Sequence, residues 1–118
     1  FLPTSNMTQT ESIKLTQSEI ESLIEVMDRV IEEEETEEGV KDIEAILALL
    51  NQGLHQQDAE VAFTLDIDFK SYVIEEIDGI LYEGMYPSFL DDTEINKSLK
   101  SVDDKYRDAM GYSRGVEA

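Results

Sequence analysis

The chemically capable residues of this sequence are carboxylates. Asp66 and Asp68 stand two apart in an alternating run, so a strand would place both on one face, as paired acid–base carboxylates require. That face lies opposite the apolar one, and solvated carboxylates make poor general acids, so the pair reads as the polar side of a strand. Asp92, Glu94 and Asn96 match the first three oxygen ligands of an EF-hand loop, and Asp103 falls at its closing position. Lys97 occupies the place where that loop turns on Gly, and the closing residue is not Glu, so a capped helix start is the better reading. His55, the single histidine, sits in a Leu-His-Gln-Gln stretch with no carboxylate at a recognisable spacing and reads as a solvated loop residue. There is no cysteine and no Gly-rich phosphate loop, which disfavours thiolate and nucleotide chemistry. No catalytic residue, metal or cofactor is assigned, and the expectation is a protein that is not an enzyme.

What the carboxylates do carry is charge. The 118 residues include 28 acidic and 9 basic side chains, a net charge of −19. Solubility of a small domain asks for only about 2 to 8 charges. Such a field repels nucleic acid and anionic membranes and attracts cationic protein surfaces. Between Glu19 and Glu44 stand 12 acids and 2 bases, Arg29 and Lys41, a local difference of −10. The centre of that stretch is the run Glu32, Glu33, Glu34, Glu35, Glu37 and Glu38, expected where a first helix ends. Anions at a helix C-terminus cost roughly 0.3 to 1 kcal/mol each at low salt, and like charges at i, i+3 and i, i+4 add to that. A local rule broken without visible compensation points to function.

The elements that position these groups follow from periodicity. Thr16-Gln-Ser-Glu19 fits a capping box, and Ile20, Leu23, Ile24, Met27, Val30 and Ile31 then form one apolar stripe of a helix that ends toward Gly39. Val40, Ile43, Ile46, Leu47 and Leu50 predict a second helix stopped by Asn51-Gln52-Gly53, and the short connection predicts an antiparallel pair. Val61, Phe63, Leu65, Ile67 and Phe69 alternate with small or polar residues and predict a strand. Asp78-Gly79 between β-prone runs predicts a hairpin over residues 72–86. The competing pattern is a helix through Phe69, Tyr72, Val73, Ile77, Ile80 and Leu81, capped by Asp68; Gly79 in mid-helix, at about 1 kcal/mol relative to Ala, weighs against it. Asp91-Asp92-Thr93 opens a last helix over roughly 93–110, whose polar face carries Lys97, Lys100, Lys105 and Arg107. The expected class is α+β, an antiparallel N-terminal helix pair, a small antiparallel sheet or hairpin and a C-terminal helix, with a mostly helical bundle as the alternative. Residues 1–15 are expected to be a flexible leader or expression remnant with Met7 as the natural start, residues 16–111 one domain, and residues 112–118 a frayed tail.

Without an apolar run of roughly 18 residues, no membrane helix is expected, and the lack of cysteine suits a cytoplasmic setting. An acidic helical pair followed by the tyrosine-rich turn Tyr82-Glu-Gly-Met-Tyr-Pro87 resembles the colicin-DNase immunity proteins, while the alternating run Val61 to Phe69 departs from their all-helical pattern. The function expected is inhibition of a basic, nucleic-acid-binding protein by nucleic-acid mimicry, of phage anti-defence or nuclease-immunity type. The partner would be met by Glu21, Glu25, Asp28, Glu32, Glu33, Glu34, Glu35, Glu37, Glu38 and Asp42, with Tyr82, Met85 and Tyr86 as desolvated anchors. Direct binding of nucleic acid or membrane is not expected. The alternatives are a plain solvated charge run and, for the aromatic turn, a plug at one end of the core. The second function considered is an acidic adaptor or dedicated chaperone for a protein client, working through a sheet edge or apolar groove.

Overall fold

The computed structural model describes residues 11–56 and 58–111. Strand β1 (Ser12–Thr16) leads into α1 (Gln17–Glu33), followed by α2 (Glu37–His55) and β2 (Glu60–Thr64). A π-helical stretch, Phe69–Ile74, runs into α3 (Glu75–Glu83), then come the short α4 (Pro87–Asp91) and α5 (Thr93–Met110). The α+β class is therefore the observed one, with a helix pair, a two-stranded antiparallel sheet and a C-terminal helix.

Thr16 starts α1 as its capping box predicts: its hydroxyl accepts from the Glu19 amide at 3.2 Å, and the Thr16 amide donates back to Glu19 Oε1 at 2.8 Å. The stripe Ile20, Leu23, Met27 and Val30 is buried, and α1 packs most extensively on α2, the three-residue link 34–36 reversing the chain between them. β1 pairs with β2 from Ser12 opposite Thr64 to Thr16 opposite Glu60. Ile13, Leu15, Val61 and Phe63 turn inward, which gives the sheet its apolar face. α5 closes the core with Ile95, Leu99 and Val102.

Several expectations are corrected. Residues 11–15, placed in the leader, belong to the fold, since β1 is hydrogen-bonded to β2 and the Leu65 amide donates to the Glu11 carbonyl at 2.8 Å. The rest of the leader and the tail 112–118 lie outside the described residues. Neither Gly39 nor Gly53 ends a helix: Gly39 lies in the first turn of α2, where its amide donates to the Thr36 hydroxyl at 3.0 Å, and α2 continues past Gly53 to His55. A Cβ on Gly53 would stand 2.8 Å from Phe63 Cζ, so the residue is a close approach of α2 to β2. His55 accordingly ends a helix and is not in a loop.

The strand stops at Thr64, five residues short of Phe69, because Asp66 starts a helix. Its Oδ1 accepts from the Phe69 amide at 2.9 Å, the role the sequence reading gave to Asp68. Asp66 and Asp68 therefore do not share a strand face, and Ile67 is 77% exposed instead of inward. No hairpin forms over 72–86; that segment is the π-helical stretch, α3 and the turn after it, with Phe69, Val73, Ile77 and Ile80 buried along one side. Gly79 is tolerated in the helix because Met85 lies where its side chain would be: a Cβ there would stand 2.5 Å from Met85 Sδ. Gly84, at φ 79°, ends α3, and the Met85 amide donates back to the Gly79 carbonyl at 3.1 Å.

Candidate partner-binding surface

α1 puts Glu21, Glu25, Asp28 and Glu32 on its exposed side, opposite its buried stripe. Their spacing of four, three and four keeps them in one line about 16 Å long on the helix axis. Arg29, the one base between Glu21 and Glu38, is turned the other way: Nη1 lies 2.7 Å from Glu33 Oε2 and 3.9 Å from Glu32 Oε1, and its guanidinium stacks 5.0 Å from the Tyr86 ring centre. Among the described residues no cation pairs with Glu21, Glu25 or Asp28.

The glutamate run is split by the chain reversal. Glu32 and Glu33 occupy the last turn of α1, Glu34 and Glu35 the link, and Glu37 and Glu38 the first turn of α2. The expectation that the whole run sits at a helix C-terminus is thus corrected: Glu37 and Glu38 stand at a helix N-terminus, where the backbone dipole favours anions. Glu34 folds back on the turn, its Oε2 accepting from the Thr36 hydroxyl at 2.7 Å and the Thr36 amide at 3.2 Å. Those bonds, the hydroxyl first, hold its carboxyl below the usual range. Glu35, Glu37 and Glu38 are exposed. Asp42 is half-buried and accepts from the Tyr72 hydroxyl at 3.1 Å, a bond that raises the tyrosine's pKa.

The aromatic turn does not form one anchor. Tyr86 faces α1, donating to Glu33 Oε1 at 3.0 Å beneath Arg29 and meeting Phe89 edge-on at 5.9 Å. Its φ of 46° is the left-handed value that a non-glycine residue holds only when its surroundings over-determine it. Met85 is 38% exposed and packs on Gly79. Tyr82 faces α5: its hydroxyl donates to Asp103 Oδ2 at 2.7 Å and Arg107 lies 5.8 Å from the ring centre, while the residue stays 63% exposed.

No family model matches this chain, and no curated protein or solved structure matches it. The geometry therefore carries the functional argument. Asp92 caps α5, its Oδ1 accepting from the Ile95 amide at 3.1 Å, and Asp103 is buried a few turns on against Tyr82 and Arg107. The residues of the EF-hand pattern are thus held along a helix and do not wrap an ion. Among the described residues no group of three or more His, Cys, Asp or Glu is placed to hold a metal, and no helix is long and apolar enough to cross a membrane.

Two features were missed by the sequence reading. Glu76 has a carboxyl oxygen without a hydrogen-bond partner among the described residues; burial first, then Glu75, Glu33 and Glu34, raise its pKa. The acidic end of the helix pair therefore extends onto α3. The other is a groove of about 320 Å³ between α2 and β2, lined by Ala45, Leu49, Ala62, Thr64, Asp66 and Asp68 among others. Leu49 was the available signal, an apolar residue beside the predicted stripe of α2; it is 50% exposed.

Proposed function

We propose that the protein binds and occupies a basic, nucleic-acid-binding protein by presenting carboxylates in place of nucleic-acid phosphates, as an inhibitor of anti-defence or nuclease-immunity type acting in the cytoplasm. The observation that supports this reading is the line of Glu21, Glu25, Asp28 and Glu32 on α1, exposed and regularly spaced, in which Glu21, Glu25 and Asp28 have no pairing cation among the described residues and Glu32 meets Arg29 only at 3.9 Å. A helix fixes those charges before a partner arrives, so little side-chain ordering opposes binding, and the surrounding field of a chain with net charge −19 accelerates encounter with a cationic surface. Glu35, Glu37 and Glu38 extend the acidic surface past the turn. Among the described residues Tyr82 is the aromatic best exposed to add a desolvated contact.

The test is affinity capture from a cell extract at about 50 and 200 mM salt, a range over which phosphate-type recognition weakens steeply. Basic nucleic-acid-binding proteins should be recovered at the lower salt, released by added duplex DNA, and lost when Glu21, Glu25 and Glu32 are changed to Gln and Asp28 to Asn. Recovery that is indifferent to those four substitutions would overturn the reading. The second reading, an adaptor or dedicated chaperone for a protein client, draws on a different surface, the groove beside β2.

A further inference from the structure

We propose that the open edge of β2 and the groove beside it form a second binding site, which takes an extended, cationic segment of a partner protein as an added strand. The hydrogen-bond phase of the sheet carries the argument. The Leu65 amide donates to the Glu11 carbonyl, one step beyond the register that sets Ser12 against Thr64. In an antiparallel pair hydrogen-bonded and non-bonded pairs alternate, so Ile13 with Phe63 and Leu15 with Val61 exchange the remaining bonds. The amides and carbonyls of Ala62 and Thr64 then point away from β1, and among the described residues no strand pairs with them.

The two edges of this sheet are treated differently. On the outer side of β1 the Lys105 ammonium donates to the Lys14 carbonyl at 2.7 Å, so a charged side chain already occupies that edge. The outer side of β2 instead opens onto the groove. Its far wall is α2, brought close by Gly53 and lined by Ala45, with Leu49 half exposed along it. A row of free backbone groups beside an apolar wall is the arrangement that recognises an extended chain, main-chain bonds supplying affinity and alternate side chains entering the groove.

Charge selects among the possible occupants. Among the described residues the groove is lined by Asp66 and Asp68 and by no Lys or Arg. A second copy of this chain would bring another −19 to the contact, whereas a segment alternating apolar and basic residues satisfies the wall and the carboxylates together.

The experiment uses the full chain and a fluorescently labelled peptide alternating valine and lysine, read by anisotropy and by amide hydrogen exchange. Saturable binding with slowed exchange at Ala62 and Thr64 is expected. Ala62→Pro removes one outward amide, leaves the charge unchanged and spares the bonds to β1, so it should weaken binding about tenfold, the worth of one or two hydrogen bonds. The same peptide N-methylated at alternate amides should lose as much, and this arm decides the matter even if circular dichroism shows that Ala62→Pro does not fold. Equal binding of the N-methylated peptide, or of a valine–glutamate peptide, overturns the proposal. So does sedimentation showing a dimer through this edge, since the occupant would then be a second copy. Neutralising Glu21, Glu25, Asp28 and Glu32 should leave the difference between the plain and N-methylated peptides intact, which separates this site from the acidic line on α1.

Discussion

Glu19 and Glu76 are carboxylates on packed helices, and their surroundings drive them in opposite directions. Burial pushes the pKa of Glu19 up, but the combined bonds from Lys105, Ser101 and the Thr16 amide outweigh it and leave the group below its ordinary value. Such a group adds stability above its unfolded pKa and loses it as pH falls through the lower folded value. Glu19→Gln leaves Lys105 without its buried partner and should cost about 2 kcal/mol at neutral pH, measured by urea unfolding, with a shallower acid limb than the parent. For Glu76 the folded pKa is raised, by burial and then by Glu75, Glu33 and Glu34, so its contribution is complete below the unfolded pKa and lost as pH rises through the folded value. Glu76→Gln should therefore stabilise the protein at neutral pH by roughly 0.5 kcal/mol, the scale of a relieved like-charge pair, and give no gain in acid. An unchanged melting temperature at neutral pH would contradict this.

At the scale of elements, α1 and α5 were legible because each advertises its own cap and stripe, and α2 by its stripe alone, its Thr36 cap having been passed over. Thr16 with Glu19 and Asp92 with Ile95 are local bonds between near neighbours, and local chemistry is what a sequence displays. β1 was not legible, since Ser12–Thr16 is five residues long and its pairing partner lies dozens of residues away. The segment around Gly79 was misread because the sequence records the cost of glycine in a helix but not the long-range packing that offsets it. Gly79→Ala tests that account: the usual gain of about 1 kcal/mol should be missing in the parent, where Met85 occupies the space, and should appear in a Met85→Ala background. Gly53→Ala has a harder neighbour in the Phe63 ring and should cost about 1 to 3 kcal/mol, seen as a lower denaturant midpoint. Of the expected contact residues, the α1 line was legible from spacing alone. The separation of Tyr82 from Tyr86 was not, because their hydroxyls reach Asp103 and Glu33 on different helices.

For the molecule as a whole, a net charge of −19 means that folding compresses like charges. Added salt should raise the melting temperature steadily as the screening length falls from about 10 Å at 0.1 M toward about 3 Å at 1 M, while the same salt weakens capture of a cationic partner. A melting temperature flat in salt would show that the charges are already compensated. Against this repulsion, one of the few bases reaches three elements at once: Lys105 meets the Lys14 carbonyl and Glu19 at 2.7 Å and Glu60 at 3.8 Å. The first of those contacts spans 91 positions. A nascent polypeptide leaving the ribosome therefore exposes β1 and Glu19 without their cation until Lys105 has emerged, so this tertiary lock cannot close before α5 is made, and any earlier stall leaves the acidic segments mutually repelling.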